Sequence, residues 1–199
     1  MEGFVLAGGA SRRMGRDKST LVIGGHTLIE IAAMALSGVA DPIRVVGNLA
    51  AGQTSLPIIP DEEIGGGVRG AIVGLYTAAK YAGTEWIVVL ACDLPFVSSE
   101  LLVRMSTVIA KVGKETVAAL LPEQPDGRIQ PLCGFYRAAA TRLGIEELLS
   151  EDNWRLQRLA ERLDTHIVPF TDIADLPGSE RFFMNLNSPE DHQAALRLA

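Results

Sequence analysis

A short apolar run followed by a loop rich in glycine and cations is the feature that most constrains this chain. Phe4, Val5 and Leu6 form the run, and residues 7–18 read Ala-Gly-Gly-Ala-Ser-Arg-Arg-Met-Gly-Arg-Asp-Lys. The apolar run predicts a buried strand, and the glycines after it allow positive φ angles and a close approach to a ligand. Arginine and lysine side chains bind phosphate oxygens. The sequence therefore predicts a strand that delivers a polyphosphate-binding loop.

Neither of the two common phosphate-loop motifs matches this stretch. Lys18 does not follow a Gly-x-x-x-x-Gly run, and the spacing Gly-x-Gly-x-x-Gly is absent. The alternative interpretation is a basic loop that only caps a strand. Solvated charge runs rarely alternate with so many glycines directly after a strand, which favours the ligand-binding interpretation.

The charge balance excludes a protein that coats nucleic acid, and it indicates where in the chain an anionic ligand would bind. The formal net charge is −6, whereas a protein that coats nucleic acid needs a basic face to displace counterions from phosphates. Four of the 18 basic residues, however, lie within the first loop. We therefore expect anionic ligands to be captured locally, and we expect no nucleic-acid partner.

Length and composition predict a single cytoplasmic domain over residues 1–199. A chain of this size can bury roughly 70% of its unfolded surface in one core, and its 48% hydrophobic and 21% charged residues are typical of a globular protein. No apolar run approaches the roughly 20 residues of a membrane helix. Cys92 and Cys133 are the two cysteines, and their separation indicates neither a disulfide framework nor a Cys-x-x-Cys metal site.

Apolar strands alternate with amphipathic helices along the chain. Trp86 to Cys92 is the strongest predicted strand, because a continuous branched run is typical of the centre of a parallel sheet covered on both faces. Thr27 with Glu30 forms a capping box for the first helix. The other predicted elements are strands at 43–47, 116–121, 129–136 and 166–170, and helices at 70–82, 98–111, 138–149, 153–163 and from Ser188 onward. The pattern predicts an α/β fold with a mostly parallel sheet and helices on both faces.

Polar residues follow several of these strands, where open α/β sheets bind ligands. Asn48, Asp61 and Asp93 are not equivalent in this respect, because only Asp93 directly follows the central strand. Asn48 could instead end a strand in a turn, and Asp61 could cap the next helix. Gly70 and Gly74 open the helix that follows, and their alternative role is close packing of that helix on the sheet.

The residues Leu-Ala-Gly-Gly-x-Ser-Arg-Arg-Met-Gly-x-Asp-Lys at 6–18 resemble the signature of the molybdenum cofactor guanylyltransferases, within the wider nucleotidyltransferase superfamily. Further matches are Gly70 to Gly74, where Ala71 replaces the family's proline, Cys92-Asp93-x-Pro95, Gln130-Pro131-Leu132, and Asn185-x-Asn187-Ser188-Pro189. Cytidylyl-transferring relatives tend to show Ala-Ala-Gly in the first loop and Asp-x-Asp before the last helix, so Gly8-Gly9 and the two asparagines favour guanylyl transfer.

The resemblance implies a three-layer, Rossmann-like fold of the nucleotide-diphospho-sugar transferase type and a set of site residues. It implies magnesium, with manganese as a substitute, held by Asp93. Catalysis would involve Arg13, Lys18 and Asp93, and the acceptor molybdopterin would meet Gln130, Asn185 and Asn187. GTP would contact Leu6, Ala7, Gly8, Gly9, Lys18, Asn48, Asp61, Gly70, Gly74 and Asp93.

The implied reaction is transfer of GMP from GTP to molybdopterin, with release of pyrophosphate and transient contact with cofactor-synthesis proteins or molybdoenzymes. A single carboxylate is sufficient for magnesium, which takes most of its other ligands from substrate phosphates and water. Two alternatives remain open at this point. The chain could be a cytidylyltransferase or a nucleotidyltransferase that acts on a sugar or polyol phosphate, both within the same superfamily, or it could carry finished cofactor without catalysis.

Overall fold

The computed structural model of the chain describes residues 1–8, 21–111 and 117–198. Seven strands form one sheet in the order β5-β4-β1-β6-β8-β7-β9, and β2 pairs with β3 in a separate hairpin. The strands are β1 (Glu2–Leu6), β2 (Val22–Ile23), β3 (His26–Thr27), β4 (Ile43–Val46), β5 (Ile58–Ile59), β6 (Trp86–Ala91), β7 (Ala119–Pro122), β8 (Cys133–Arg137) and β9 (Thr165–Val168).

The seven-stranded sheet is mostly parallel, as the sequence predicts. β1 pairs in parallel with β4 and β6, β4 with β5, and β7 with β9. Only β8 runs the other way, because it is antiparallel to both of its neighbours, β6 and β7. The amino-terminal end of β8 therefore lies at the same edge as the carboxyl ends of the other six strands.

Within the described residues, six α-helices cover the two faces of this sheet. They are α1 (Leu28–Leu36), α2 (Ala71–Tyr81), α3 (Ser99–Lys111), α4 (Ala138–Ser150), α5 (Leu156–Arg162) and α6 (Pro189–Leu196). One core packs α1, α3 and α6 against the sheet, and the other packs α2, α4 and α5. The result is the three-layer, Rossmann-like arrangement. Among the helices of the described residues, none has both the length and the apolar character needed to cross a membrane.

The two central strands supply both cores by alternation of their side chains. Val5 and Val88 belong to the core of α1 and α3, whereas Phe4 and Val89 belong to the core of α2 and α4. Every residue of β6 is buried. A strand covered on both faces needs apolar residues at every position rather than at every second one, and this explains the continuous run at 86–91.

Local signals define the ends of the first and last helices as predicted. The Glu30 amide donates to Thr27 Oγ1 at 3.3 Å, and Glu30 Oε2 accepts from the Thr27 amide at 2.8 Å. Ser188 and Asp191 form the same capping box at the start of α6, with Pro189 in the first turn. Each box satisfies amide groups that a helix otherwise leaves without partners.

The predicted strand at 129–136 is wrong in its first part, since β8 begins at Cys133. Gln130 to Leu132 form a turn instead. The Cys133 amide donates to the Gln130 carbonyl at 3.3 Å, and the buried Tyr136 hydroxyl donates to the Pro131 carbonyl at 2.6 Å. Proline has no amide proton for a sheet ladder, and this favours the turn.

Two boundaries in the second half also differ from the prediction. Helix α5 begins at Leu156 rather than Asn153, because the Asn153 amide donates back to the Leu148 carbonyl at 2.9 Å and so closes α4. Strand β9 covers Thr165–Val168, and Pro169 opens a 3₁₀ turn instead of extending the strand. In both places a local hydrogen bond or a proline overrides the apolar pattern.

Candidate active site

The described residues that directly follow β1, β4, β5 and β6 lie at the carboxyl edge of the sheet. Hydrogen bonds continue past the strand ends, since the Ala7 amide donates to the Val46 carbonyl at 2.8 Å and the Cys92 amide donates to the Leu6 carbonyl at 3.0 Å. The first residue of each loop is therefore fixed by the sheet. Gly9, Arg13 and Lys18, which the sequence assigns to the site, lie outside the described residues.

A cavity of about 830 Å³ opens at this edge between Ala7 and Gly8, which follow β1, and the start of α2. It lies within the range of about 300–1,000 Å³ that is typical of small-molecule sites. The lining residues are Ala7, Gly8, Asn48, Pro60, Asp61, Glu62, Glu63, Ile64, Gly67, Val68, Arg69, Gly70 and Val73. Five residues assigned to the nucleotide from the sequence thus share one wall: Ala7, Gly8, Asn48, Asp61 and Gly70.

Leu6 and Gly74 lie behind this wall and are not among its lining residues. A Cβ added at Gly74 would lie 3.4 Å from Leu6 Cδ2, so the glycine lets α2 pack closely on β1. Gly70 is different, because its φ of 99° belongs to a region that favours glycine, and it forms the N-cap of α2 at the cavity. The packing interpretation therefore fits Gly74, and the ligand-facing position belongs to Gly70.

Gly8 and Asp61 contact each other across the cavity wall. A Cβ added at Gly8 would lie 2.9 Å from Asp61 Oδ2, closer than real Cβ contacts, so a side chain here would displace the carboxylate. Oδ1 of Asp61 is buried and has no hydrogen-bond partner among the described residues. The N-caps of the next two helical segments are Ile64 and Gly70, so Asp61 does not act as a helix cap.

The buried position of Asp61 affects its ionisation. Burial raises the pKa of this carboxyl above the ordinary aspartate value of 3.8, because a charged oxygen loses its hydration. A buried acceptor with no partner lowers stability unless a ligand supplies the donor. Among the described residues, Asp61 Oδ1 is thus a buried acceptor that a donor in the cavity could satisfy.

Asp93 lies where β6 ends, and one of its carboxylate oxygens, Oδ1, is buried. The Asp93 carbonyl accepts from the Leu186 amide at 3.0 Å. Leu186 is 1% exposed, whereas Asn185 and Asn187 on either side of it are exposed. The segment that carries the two asparagines is thus tied directly to Asp93, and both asparagines lie on its solvent side, as their two-residue spacing predicts.

Gln130 reaches the same edge through the turn before β8. Its Oε1 accepts from the Leu132 amide at 3.2 Å, and the Leu132 carbonyl accepts from the Ala91 amide at 2.8 Å. The Gln130 side chain is largely buried. Gln130 shapes a turn beside the end of β6, the strand that Asp93 follows. Its side-chain oxygen Oε1 already accepts a hydrogen bond from within the protein.

Several cavity residues were missed from the sequence. Arg69 is a cation on the cavity wall, Glu62 and Glu63 add two carboxylates beside Asp61, and Ile64 and Val68 give the wall an apolar part. The available signal was the position of Arg69 within a second glycine-rich stretch, Gly65 to Gly70, that follows a strand at the same edge. An arginine in such a loop has the same physical basis for anion binding as those of the first loop.

The ionisation of Asp61 gives a stability prediction. Because the folded state disfavours the charged carboxylate, ionisation of Asp61 lowers the free energy of unfolding. This loss of stability develops as the pH rises from 3.8 through the raised pKa, and it is absent below that window. We expect Asp61→Asn to melt at a higher temperature than the unmodified protein at pH 7, without ligand, and the difference to shrink as the pH is lowered toward 3.8. Differential scanning calorimetry across pH measures it. Asp164→Asn, at an exposed position, is the matched control, and a lower melting temperature for Asp61→Asn at pH 7 would contradict the burial argument.

Comparisons with known proteins agree with this architecture. The model of the MobA-like NTP transferase domain matches residues 3–166. A "probable molybdenum cofactor guanylyltransferase" from a Geobacillus species is 33% identical over a 196-residue alignment that covers 96% of this chain and 95% of that protein. A molybdenum cofactor guanylyltransferase of Cereibacter sphaeroides is 32% identical over 199 residues, covering 95% and 92%.

Solved structures show the same fold. Molybdopterin-guanine dinucleotide biosynthesis protein A from Archaeoglobus fulgidus superposes with a TM-score of 0.80 at 25% identity, over 100% of this chain and 98% of that one. The 2-C-methyl-D-erythritol 4-phosphate cytidylyltransferase of Thermus thermophilus gives 0.66 at 16% identity, over 100% and 98%, and shares the fold alone. The family model covers most of the sheet and every residue that lines the cavity. The chain therefore belongs to the MobA-like NTP transferase family and is a nucleotidyltransferase.

Proposed function

We propose that this chain transfers GMP from GTP to molybdopterin and releases pyrophosphate. The observation that carries the proposal is the cavity at the carboxyl edge, where Gly8, Asp61 and Gly70 share a wall and a buried oxygen of Asp61 faces no protein donor among the described residues. The names of the relatives supply the substrates to be tested.

The carboxylate of Asp61 supports guanine as the base. Guanine presents two adjacent donors, N1–H and the N2 amino group, whereas adenine has no N1–H and offers an acceptor there. A site built around a hydrogen bond rejects an analogue that lacks the matching group, because the buried partner is then left without its bond. The backbone of Gly8 and Gly70 can approach the ring closely, since neither carries a side chain.

The acceptor side is supported by the link between Asp93 and Leu186. Because Leu186 is tied to the Asp93 carbonyl, an acceptor held by Asn185 and Asn187 would lie next to the end of β6. Each amide side chain both donates and accepts hydrogen bonds, and this suits the mixed donor and acceptor edge of a pterin. Gln130 would complete this side from the turn before β8.

Asp93 fits a magnesium site that uses one protein ligand. Within the described residues there is no group of three or more histidine, cysteine, aspartate or glutamate side chains that could hold a metal by itself. A strand-end carboxylate with one buried oxygen suits an ion that takes its remaining ligands from phosphates and water. Magnesium, or manganese, would offset negative charge on the phosphate oxygens when bound.

The reaction needs positioning and charge neutralisation more than proton transfer. The terminal phosphate of molybdopterin attacks the α-phosphorus of GTP, a new P–O bond forms, and the bond to the β-phosphate oxygen breaks as pyrophosphate leaves. The attacking oxygen is already anionic, so no strong general base is required. Arg13 and Lys18 are proposed to stabilise charge on the attacking and leaving oxygens.

A product assay tests this function directly. The protein is incubated with magnesium, molybdopterin and each of the four nucleoside triphosphates in turn, and the products are identified by mass. We expect pyrophosphate and the guanine dinucleotide from GTP, with CTP and ATP slower by at least about tenfold. A comparable yield of dinucleotide from CTP would contradict the preference for GTP and would favour cytidylyl transfer as the activity. Absence of pyrophosphate with every nucleotide would indicate a cofactor carrier.

Removing the charge of Asp93 tests its metal role. We expect Asp93→Asn to keep its fold by circular dichroism and to lose about three decades in kcat, since about 4 kcal/mol of transition-state stabilisation depends on a full carboxylate charge. Asp164→Asn, at an exposed position remote in sequence from the cavity, controls for a surface amide. Turnover of Asp93→Asn within about threefold of the unmodified protein would reject the assignment.

Asn187 tests the acceptor side separately from the nucleotide. Its backbone amide is held by Asp191 Oδ2 at 2.8 Å, so Asn187→Ala removes the side chain while the local backbone keeps its bond. We expect molybdopterin affinity to fall by about tenfold and GTP affinity to change by less than about twofold. Gln193→Ala, at an exposed position on α6, is the control. Equal losses for both ligands would assign the segment a structural role.

A further inference from the structure

Asp61 lies in a segment that the sheet supports only at its start. Strand β5 is two residues long and lies at the edge of the sheet. Its last hydrogen bond joins the Gly47 amide to the Ile59 carbonyl at 3.0 Å. Pro60 has no amide proton. Something beyond the sheet must therefore hold the carboxylate of Asp61 at the cavity wall.

Glu62, the next residue, is bound to helix α2 at three points. Its amide donates to Thr77 Oγ1 at 3.0 Å. Its carboxylate accepts from Lys80 Nζ at 2.8 Å through Oε2 and from the Tyr81 hydroxyl at 2.7 Å through Oε1. We refer to Glu62, Thr77, Lys80 and Tyr81 together as the Glu62 clamp. Within the described part of the chain, the bond from the Glu62 amide is the only hydrogen bond made by the backbone of residues 60–63.

The base of the clamp is rigid. Thr77 is fully buried, and its hydroxyl donates to the Val73 carbonyl at 2.8 Å, so its oxygen is oriented to accept from Glu62. Val73 itself lines the cavity. The same helical turn therefore forms part of the cavity wall and fixes the residue beside Asp61.

The clamp also controls charge at the wall. Asp61, Glu62 and Glu63 are three consecutive carboxylates that all line the cavity, which is unfavourable beside an anionic ligand. Lys80 pairs with Glu62, and the donors of Lys80 and Tyr81 hold the pKa of Glu62 below its usual value. One of the three charges is thus compensated and turned toward α2, while Asp61 keeps an oxygen for the ligand.

We propose that Glu62 is a positioning residue for Asp61, and that Thr77, Lys80 and Tyr81 act on the nucleotide through it. The inference rests on the proposed function only in taking Asp61 as a nucleotide contact. The Lys80–Glu62 pair is partly exposed, with 41% and 20% of the side chains accessible, and such pairs contribute little to global stability. Its removal should therefore change ligand affinity more than it changes folding.

A double-mutant cycle separates positioning from a general structural role. Lys80→Met and Tyr81→Phe are combined as the clamp variant, and GTP affinity is measured by titration calorimetry in the presence and absence of Asp61→Asn. We expect the clamp variant to weaken GTP binding by about fivefold or more in the unmodified background, and by less than about twofold when Asp61 is already replaced. In turnover assays KM for GTP should rise while kcat stays within about twofold.

Two further variants sharpen the comparison. Lys80→Arg keeps a cation opposite Glu62, so an otherwise unmodified chain with this change should keep most of the GTP affinity that the clamp variant loses. Arg158→Met breaks an exposed ion pair with Glu161 on α5, 2.6 Å long, and should leave GTP affinity unchanged. Both are compared with the clamp variant at the same temperature and salt concentration.

The outcomes distinguish this inference from the proposed function. Losses that add in the two backgrounds, or an Asp61→Asn variant with unchanged GTP affinity, would overturn the positioning role even if GMP transfer proceeds normally. Binding of GTP without GMP transfer would overturn the proposed function, and the cycle would still report on positioning. A fall in melting temperature with no change in GTP affinity would make the clamp a structural contact only.

Discussion

Parallel hydrogen bonding among β4, β1 and β6 is the constraint on which the rest of the site depends. The ladder extends beyond the strands, through the Gly47 amide to Ile59 and the Cys92 amide to Leu6, so the loop roots are set by the sheet itself. Two apolar cores hold these strands from opposite faces. Residues directly after the strands, such as Ala7 and Cys92, are therefore positioned by the sheet, whereas Asp61, beyond Pro60, also depends on the contacts of Glu62 with α2.

Much of this arrangement can be predicted from local sequence. A continuous apolar strand ending in Asp93, a capping box at Thr27 and a glycine loop after β1 each have a direct physical signature. What the sequence does not reveal is pairing between distant segments. The contact of Gly8 with Asp61 and the bond from Leu186 to Asp93 join residues that are tens of positions apart. No periodicity encodes them, and the same limit explains why the Glu62 clamp was missed.

Direction of strands is a second property that apolar patterns do not encode. Residues of β8 are apolar on both faces whether the strand runs with or against β6, so the sequence predicted the strand and not its orientation. Turns were misjudged for a related reason. At Gln130 and at Asn153, the side-chain oxygen accepts from the backbone amide two residues further on, and this local bond outweighs the apolar composition of the neighbours.

Because β8 runs opposite to its neighbours, the edge that carries the candidate site has two parts, built by different kinds of connection between strands. The part proposed for the nucleotide consists of segments that follow strands. Gln130 instead precedes a strand, at the end of the connection from β7 that turns at Gly127, whose φ is 80°. This connection joins two antiparallel neighbours, so its length can change without moving either strand. Variation there would remodel the surface next to Asp93 while the parallel half stays the same. A single scaffold could in this way pair one type of nucleotide wall with acceptors of different size.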